Sequence, residues 1–134
     1  MINSDNIYKD AVKRISEDLN LKIRNQYSQD WEYESADSDR VGEFLEYYVN
    51  HKLNSTEKQI LVKLILESYN DYVGEKGFHL YYTKKVRKIL ESEYELHNDI
   101  IKYWSCEGEE LENAFYITPL IREIAESMSG HNEF

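Results

Sequence analysis

The histidines and acids of this sequence are its most versatile metal ligands, and their spacing limits what they can bind. No histidine follows a glutamate by three positions, so the Glu-x-x-His pairs of helical di-iron sites are absent. Glu93 and His97 lie one helical turn apart with Asp99 close by, and together they could ligate a divalent cation. Three ligands in one segment are a weak signal for metal binding. We therefore predict neither a metal site nor a cofactor.

Nucleophilic catalysis has as little support. Cys106, the single cysteine, stands in an acidic segment that disfavours the reactive thiolate. Five scattered glycines provide neither a phosphate-cradling loop nor a nucleophile elbow. We predict no catalytic residues and a protein that is not an enzyme.

Carboxylates and aromatic rings are concentrated in a segment without periodicity, residues 28–39. Residues 28–46 carry a net charge of −6. Carboxylates pair with Arg and Lys, and aromatic rings in a loop supply contact area for a partner. The alternative, in which the acids only solvate the surface and the tryptophan folds back as a lid, stays open. The predicted main partner-binding surface consists of Asp30, Trp31, Glu32, Tyr33, Glu34, Asp37 and Asp39.

A second acidic segment, residues 91–112, carries a net charge of −7. The two segments together more than account for the net charge of −10 of the whole chain. We expect a second acidic rim of the binding surface here if the fold brings the two loops together. Its residues are Glu107, Glu109, Glu110 and Glu112.

Helical spacing of apolar residues defines the elements that must position these segments. Five glycines and one proline are too few for the many tight turns of a sandwich or barrel. We predict an all-α fold of about six helices over more than about 60% of the chain, well above the ordinary third. Its expected architecture is a bundle or a short stack of helical hairpins. The predicted helices begin near Ser4 or Asp5, Val41, Asn54, Tyr82, Leu96 and Thr118.

Several helix ends have local signals. Asn54 and Glu57 have the spacing of a capping box, and Gly74 is expected to end the same helix. Thr118 and Pro119 fit an N-cap and a first helical position. Whether the fourth and fifth helices form one bent helix is not decided by periodicity, and residues 115–117 could pair as a short strand.

The apolar stripes also predict the core. The third helix is apolar over a wide arc and is expected to be central. The remaining stripes face inward from the other helices. The predicted core residues are Phe44, Leu45, Leu61, Leu64, Ile65, Val86, Ile89, Ile100 and Ile121.

Composition excludes several classes of protein. With 134 residues, the chain has the size of a single domain, 1–134, ending in a polar tail, 130–134. Its acidic charge argues against direct nucleic-acid binding, and one cysteine excludes a disulfide framework. No apolar stretch approaches the length of a membrane span, and residues 1–21 lack the apolar centre of a signal peptide. We expect a cytoplasmic protein, and the sequence leaves its oligomeric state open.

Two segments resemble HEAT-like immunity proteins of bacterial polymorphic-toxin and contact-dependent inhibition systems. From Tyr94 to Ile101 the chain reads YELHNDII, similar to the His-acid-Asp-Ile-aliphatic helix start of that family. Residues 111–126, with Phe115 and a TPLIR helix start at Thr118, resemble the following helix of the repeat. The likeness covers about a quarter of the chain, and Asn98 and the short acidic loop depart from the pattern. It implies a small cytoplasmic protein that neutralises one toxin by binding it, and it assigns no interface residues.

These observations favour an immunity-type inhibitor that occupies the basic surface of a toxin domain, such as a nuclease. One alternative is a phage anti-CRISPR or other anti-defence protein that mimics nucleic-acid charge. Another is a small helical enzyme or ligand-binding regulator with a pocket lined by tyrosines. A toxin domain encoded immediately upstream would favour the first of these hypotheses, and a phage operon the second.

Overall fold

The computed structural model describes residues 4–21 and 31–130, and these ranges contain helices and no strand. The all-α prediction is confirmed, and the described helices alone exceed the expected 60% of the chain. None of them is both long and apolar enough to cross a membrane. The helices are α1 (Ser4–Asp18), α2 (Trp31–Ser35), α3 (Val41–Asn50), α4 (Ser55–Lys76), α5 (Leu80–Ser92), α6 (Asn98–Ser105) and α7 (Thr118–Gly130), with single 3₁₀ turns at Ser38–Arg40 and Leu111–Asn113.

The chain divides into two compact units, residues 1–68 and 69–134, with the boundary inside α4. The single-domain organisation stays a prediction. All nine predicted core residues are buried. Five of them, on α3 and α4, belong to the first unit, and four, on α5, α6 and α7, belong to the second.

In the first unit, α1 ends in a Schellman motif. Asn20 takes the left-handed conformation, with φ 53°, which asparagine tolerates better than most residues. The amide of Leu21 donates to the carbonyl of Ser16 at 2.8 Å, and the amide of Asn20 donates to that of Glu17 at 3.3 Å. These bonds satisfy carbonyls that the end of a helix leaves without partners.

The capping box at the start of α4 is confirmed. The Asn54 side chain accepts from the Glu57 amide at 2.8 Å, and the Glu57 carboxylate accepts from the Asn54 amide at 2.9 Å. Glu57 is buried, and the Arg14 guanidinium donates to both its carboxylate oxygens. Arg14 also lies 3.7 Å from Asp18, which accepts from the Tyr47 hydroxyl at 2.6 Å. A charged network therefore links α1, α3 and α4 within the first unit.

In the second unit, the predicted end of α4 at Gly74 is wrong. Gly74 lies inside α4, which continues to Lys76, and Gly77 with φ 82° is the left-handed residue that follows it. The Gly77 amide donates to the carbonyl of Val73 at 2.8 Å. A neighbouring aromatic side chain explains the glycine at position 74, because a Cβ there would lie 2.5 Å from the ring of Tyr116.

Three further expectations are resolved in the second unit. Helices α5 and α6 are separate, because α5 ends at Ser92 and α6 begins at Asn98. Residues 115–117 do not form a strand. Helix α7 extends to Gly130, so the polar tail begins later than predicted, and residues 131–134 lie outside the described residues.

Candidate functional site

The structure changes the interpretation of the predicted main binding surface. Trp31 begins the short helix α2 and is only 1% exposed, so the expectation of an exposed aromatic side chain outside the core is wrong. An indole removed from water stabilises the fold through its large apolar area. Asp30 lies outside the described residues, as does the side chain of Tyr33.

The expectation that residues 28–39 are irregular is also wrong for the part that the structure describes. Helix α2 and the 3₁₀ turn occupy most of residues 31–40. Glu32 and Glu34 lie in the first turn of α2, where negative charge is favourable at a helix N-terminus. Local charge therefore supports a helix that hydrophobic periodicity did not reveal.

Acids around this turn also take part in the structure of the first unit. The Asp37 carboxylate accepts from the Asp39 amide at 2.9 Å and so caps the 3₁₀ turn. The Asp37 amide donates to the Ser68 hydroxyl at 3.0 Å. Arg40 forms a salt bridge of 2.7 Å with Glu43 and holds the pKa of that carboxyl below its usual value. Glu34 and Asp39 remain exposed, and Glu32 is half-buried.

The second acidic segment differs from the first in that its loop carboxylates are all exposed and take no part in an ion pair within the described residues. We call residues 106–112 the acidic loop. The loop follows α6, with Cys106 at φ 47° and Gly108 at φ 86°. In the described part of the chain, no cation forms an ion pair with any of its four carboxylates. The exposed side chains that carry this charge are Glu107, Glu109, Glu110 and Glu112.

Arg122, on α7, holds this loop in place. Its Nε donates to the carbonyl of Ser105, and its Nη2 donates to the carbonyls of Cys106 and Glu109, each at 2.7 Å. The first two carbonyls stand at the end of α6, where a helix leaves carbonyls without amide partners. One planar guanidinium therefore closes the helix and fixes the turn of the loop.

A small cavity lies beside this guanidinium. Its volume is about 250 Å³, and it opens between the acidic loop and α7. Glu107 and Glu126 carry negative charge at this cavity, and Arg122 carries positive charge. Its lining consists of Ser105, Glu107, Gly108, Arg122, Ala125 and Glu126.

Large exposed apolar side chains occur next to the acidic loop and within it. Tyr103 is 60% exposed, Leu111 is 55% exposed and Tyr116 is 63% exposed. Phe115 lies against Tyr103 and Trp104, with ring centroids 5.5 and 4.4 Å apart. Residues 103–116 therefore combine unpaired carboxylates with apolar contact area, the combination that the sequence assigned to the Trp31 segment.

Sequence reasoning did not identify Arg122 as the side chain that holds the acidic loop. It is the fifth residue of α7, a position that gives no local signal, because a cation near the start of a helix does not complement the helix dipole. Its carbonyl partners are 13 to 17 residues away in sequence. Periodicity describes contacts within one helix and does not reveal such a contact.

The three side chains considered as metal ligands are not gathered into a site. His97 is buried, whereas Asp99 is exposed. Across residues 4–21 and 31–130, no three His, Cys, Asp or Glu side chains are grouped closely enough to hold a metal ion.

Comparisons with protein-family models, with curated proteins and with solved structures found no match to this chain.

Proposed function

We propose that this protein is an inhibitory binding protein that neutralises a basic protein partner, with the acidic loop as its main binding surface. The observation that carries the proposal is the state of the four loop glutamates. They are exposed, they have no cationic partner within the described residues, and their backbone is fixed by Arg122. A preorganised acidic surface binds a basic surface without the cost of ordering a loop.

The exposed apolar side chains give this surface anchoring groups. Binding energy in protein interfaces is concentrated in a few aromatic and apolar residues, while charge complementarity raises the association rate. Leu111 lies between two of the loop glutamates, and Tyr103 and Tyr116 flank the loop in sequence. Long-range attraction and short-range contact are thus combined in one segment.

The immunity-type role rests on the resemblance of residues 94–101 and 111–126 to HEAT-like immunity proteins. In that role the partner is a bacterial toxin domain, such as a nuclease whose substrate groove is basic, and the protein acts in the cytoplasm. The acidic loop lies between the two resembling segments and extends into the second. The resemblance assigns no interface residues, so the choice of the acidic loop rests on its charge and exposure alone.

A growth assay tests the proposal. The gene directly upstream of this one is first identified, and the C-terminal region of its product is expressed alone and together with this chain. We expect growth arrest by the domain alone and growth when the chain is present. The double variant Glu109→Lys/Glu110→Lys should lose protection.

Matched charge reversals provide the control. Asp10 and Glu17 are exposed on α1, and Asp10→Lys/Glu17→Lys changes the net charge by the same amount at a distant place in the sequence. This variant should protect as the wild type does. Equal loss of protection by both double variants would show that total charge matters and would contradict a role for the loop. Failure of the wild type to protect would contradict the immunity-type function.

A further inference from the structure

The outward face of α5 carries positive charge that the proposed function does not use. We call Leu80, Tyr81, Lys84, Lys85 and Lys88 the basic face. Leu80 is 74% exposed, and Lys84 and Lys88 are exposed as well. The Lys85 ammonium lies 5.5 Å from the centre of the Tyr81 ring. Within residues 4–21 and 31–130, none of the three lysines forms an ion pair.

The basic face and the acidic loop are complementary in charge and in apolar character. Three lysines stand beside an exposed Leu80 on one surface, and four glutamates stand beside an exposed Leu111 on the other. Unlike surfaces of this kind attract each other at long range and exclude water at contact. The surface that best matches the basic face is therefore present on every copy of the chain.

Helix α7 lies between these two surfaces within the second unit. On one side, Arg122 donates to the carbonyls of the acidic loop. On the other side, Glu123 accepts from Arg87 of α5 at 2.9 Å. Arg87 also pairs with Glu91 at 3.3 Å, and Arg122 lines the cavity together with Glu126. Two arginines against Glu91, Glu123 and Glu126 leave a net charge of only −1 in the middle of this surface. The order across the unit is acidic loop, α7, basic face.

We propose that two copies of the chain associate about a two-fold axis through α7, with the basic face of each copy against the acidic loop of the other. A two-fold axis exchanges the two sides of the surface, so each favourable contact occurs twice. The association covers the acidic loop and competes with a basic partner for it. It does not require that partner, so it is tested with the protein alone.

Sedimentation velocity of the full chain measures the association. At about 0.1 M salt, where a screening length of about 10 Å limits the repulsion between the net charges of −10 on the two copies, the wild type should form dimers. Raising the salt to about 1 M, where the screening length is about 3 Å, should weaken dimerisation at least about tenfold, because the facing surface charges are then screened as well. Wild type that remains monomeric at about 0.1 M salt and high protein concentration would overturn the proposal.

Two charge-reversal variants sharpen the test. Lys84→Glu/Lys88→Glu changes the net charge of the basic face from +3 to −1, so both surfaces are acidic. Glu109→Lys/Glu110→Lys/Glu112→Lys changes the net charge of the acidic loop from −4 to +2, so both surfaces are basic. Each variant alone should be monomeric. An equimolar mixture should form a heterodimer, because both of its contacts again join unlike charges. Circular dichroism checks that each variant retains the wild-type helix content.

Lys13→Glu/Lys63→Glu is the matched control, since both lysines are exposed in the first unit. It should dimerise as the wild type does. A mixture of the two charge-reversal variants that stays monomeric would overturn the proposal, as would a dimer of either variant alone.

Discussion

At the scale of single residues, Arg122 illustrates how a cation can serve an acidic surface without neutralising it. Its guanidinium is directed to backbone carbonyls, so the glutamate carboxylates stay free to meet a partner. A guanidinium presents several donors in one plane, whereas an ammonium is a compact point charge. The geometry of the loop therefore depends on arginine at this position and not only on a positive charge.

Replacing Arg122 by lysine should loosen the loop. We expect the free energy of unfolding to fall by about 1–3 kcal/mol, since charge-assisted hydrogen bonds are lost. The amide of Glu109, which donates to the carbonyl of Cys106, should exchange with solvent faster. Arg87→Lys is the control, since Arg87 pairs with side chains at the surface. An unchanged exchange rate at Glu109 in Arg122→Lys would refute the role of Arg122.

Trp31 should behave as a core residue. Trp31→Ala is expected to lower the free energy of unfolding by about 3–5 kcal/mol, because it removes a large buried side chain. Affinity for the basic partner should change little. Chemical denaturation and titration with the partner measure the two effects separately. A loss of affinity with unchanged stability would restore Trp31 as a binding residue.

Tyr47 makes stability sensitive to alkaline pH. Burial, and then its hydrogen bond to Asp18, raise the pKa of the Tyr47 hydroxyl above its usual value. The folded state therefore binds this proton more tightly than the unfolded state. The resulting stabilisation is complete below the ordinary tyrosine pKa of about 10 and is lost as the pH rises above it.

Tyr47→Phe should accordingly reduce the loss of stability between about pH 9 and 11. Denaturation curves of wild type and variant across this range test it. Tyr8, whose pKa is also raised by burial and by Glu32, remains in both proteins and leaves some dependence in each. Equal slopes in the two proteins would exclude Tyr47 as a contributor.

At the scale of elements, the two ends of α4 differ in whether neighbouring residues or distant ones determine them. The Asn54 and Glu57 side chains bond each other's backbone amides three residues apart, so sequence spacing was sufficient to predict the capping box. The other end of the helix was predicted three residues too early, at Gly74 instead of Gly77, because the glycine at position 74 has a packing role. Its lack of a Cβ leaves room for the ring of Tyr116, which is 42 positions later in the chain.

The contact between Gly74 and Tyr116 has a measurable consequence. Alanine in place of glycine within a helix ordinarily stabilises it by about 0.5–1 kcal/mol. In the wild type, Gly74→Ala should instead be neutral or destabilising, because the new Cβ displaces the ring. In a Tyr116→Ala background the same change should stabilise the protein. Identical effects of Gly74→Ala in both backgrounds would rule out the coupling.

At the scale of the whole molecule, the sequence was sufficient to predict those features that depend on residues close together in the chain. The spacing of apolar residues predicted α3, α5 and α7 and the core, because the buried face of a helix is set by its own periodicity. The burial of Trp31 and the carbonyl contacts of Arg122 depend on which segments meet in the fold, so neither could be predicted from one segment. The charge of the acidic loop was evident from the sequence, but the exposure of Leu111 and the burial of Trp31 were seen only in the structure.

The charge of the molecule is also unevenly distributed. The acidic loop and the basic face both lie in the second unit, although the chain as a whole has a net charge of −10. Electrostatic attraction accelerates association strongly when unlike surfaces face each other at low salt. The rate of association with a basic partner is therefore the property most sensitive to the proposed surface.

The most direct test is the rate at which this protein, diluted until it is monomeric, associates with the partner domain identified in the growth assay, measured by stopped flow across a range of salt concentrations. The wild-type rate should fall steeply with salt, whereas Glu109→Lys/Glu110→Lys should be at least about tenfold slower at low salt and depend less on salt. Asp10→Lys/Glu17→Lys should follow the wild type closely. If the loop variant and the wild type associate at the same rate at every salt concentration, the acidic loop is not the binding surface.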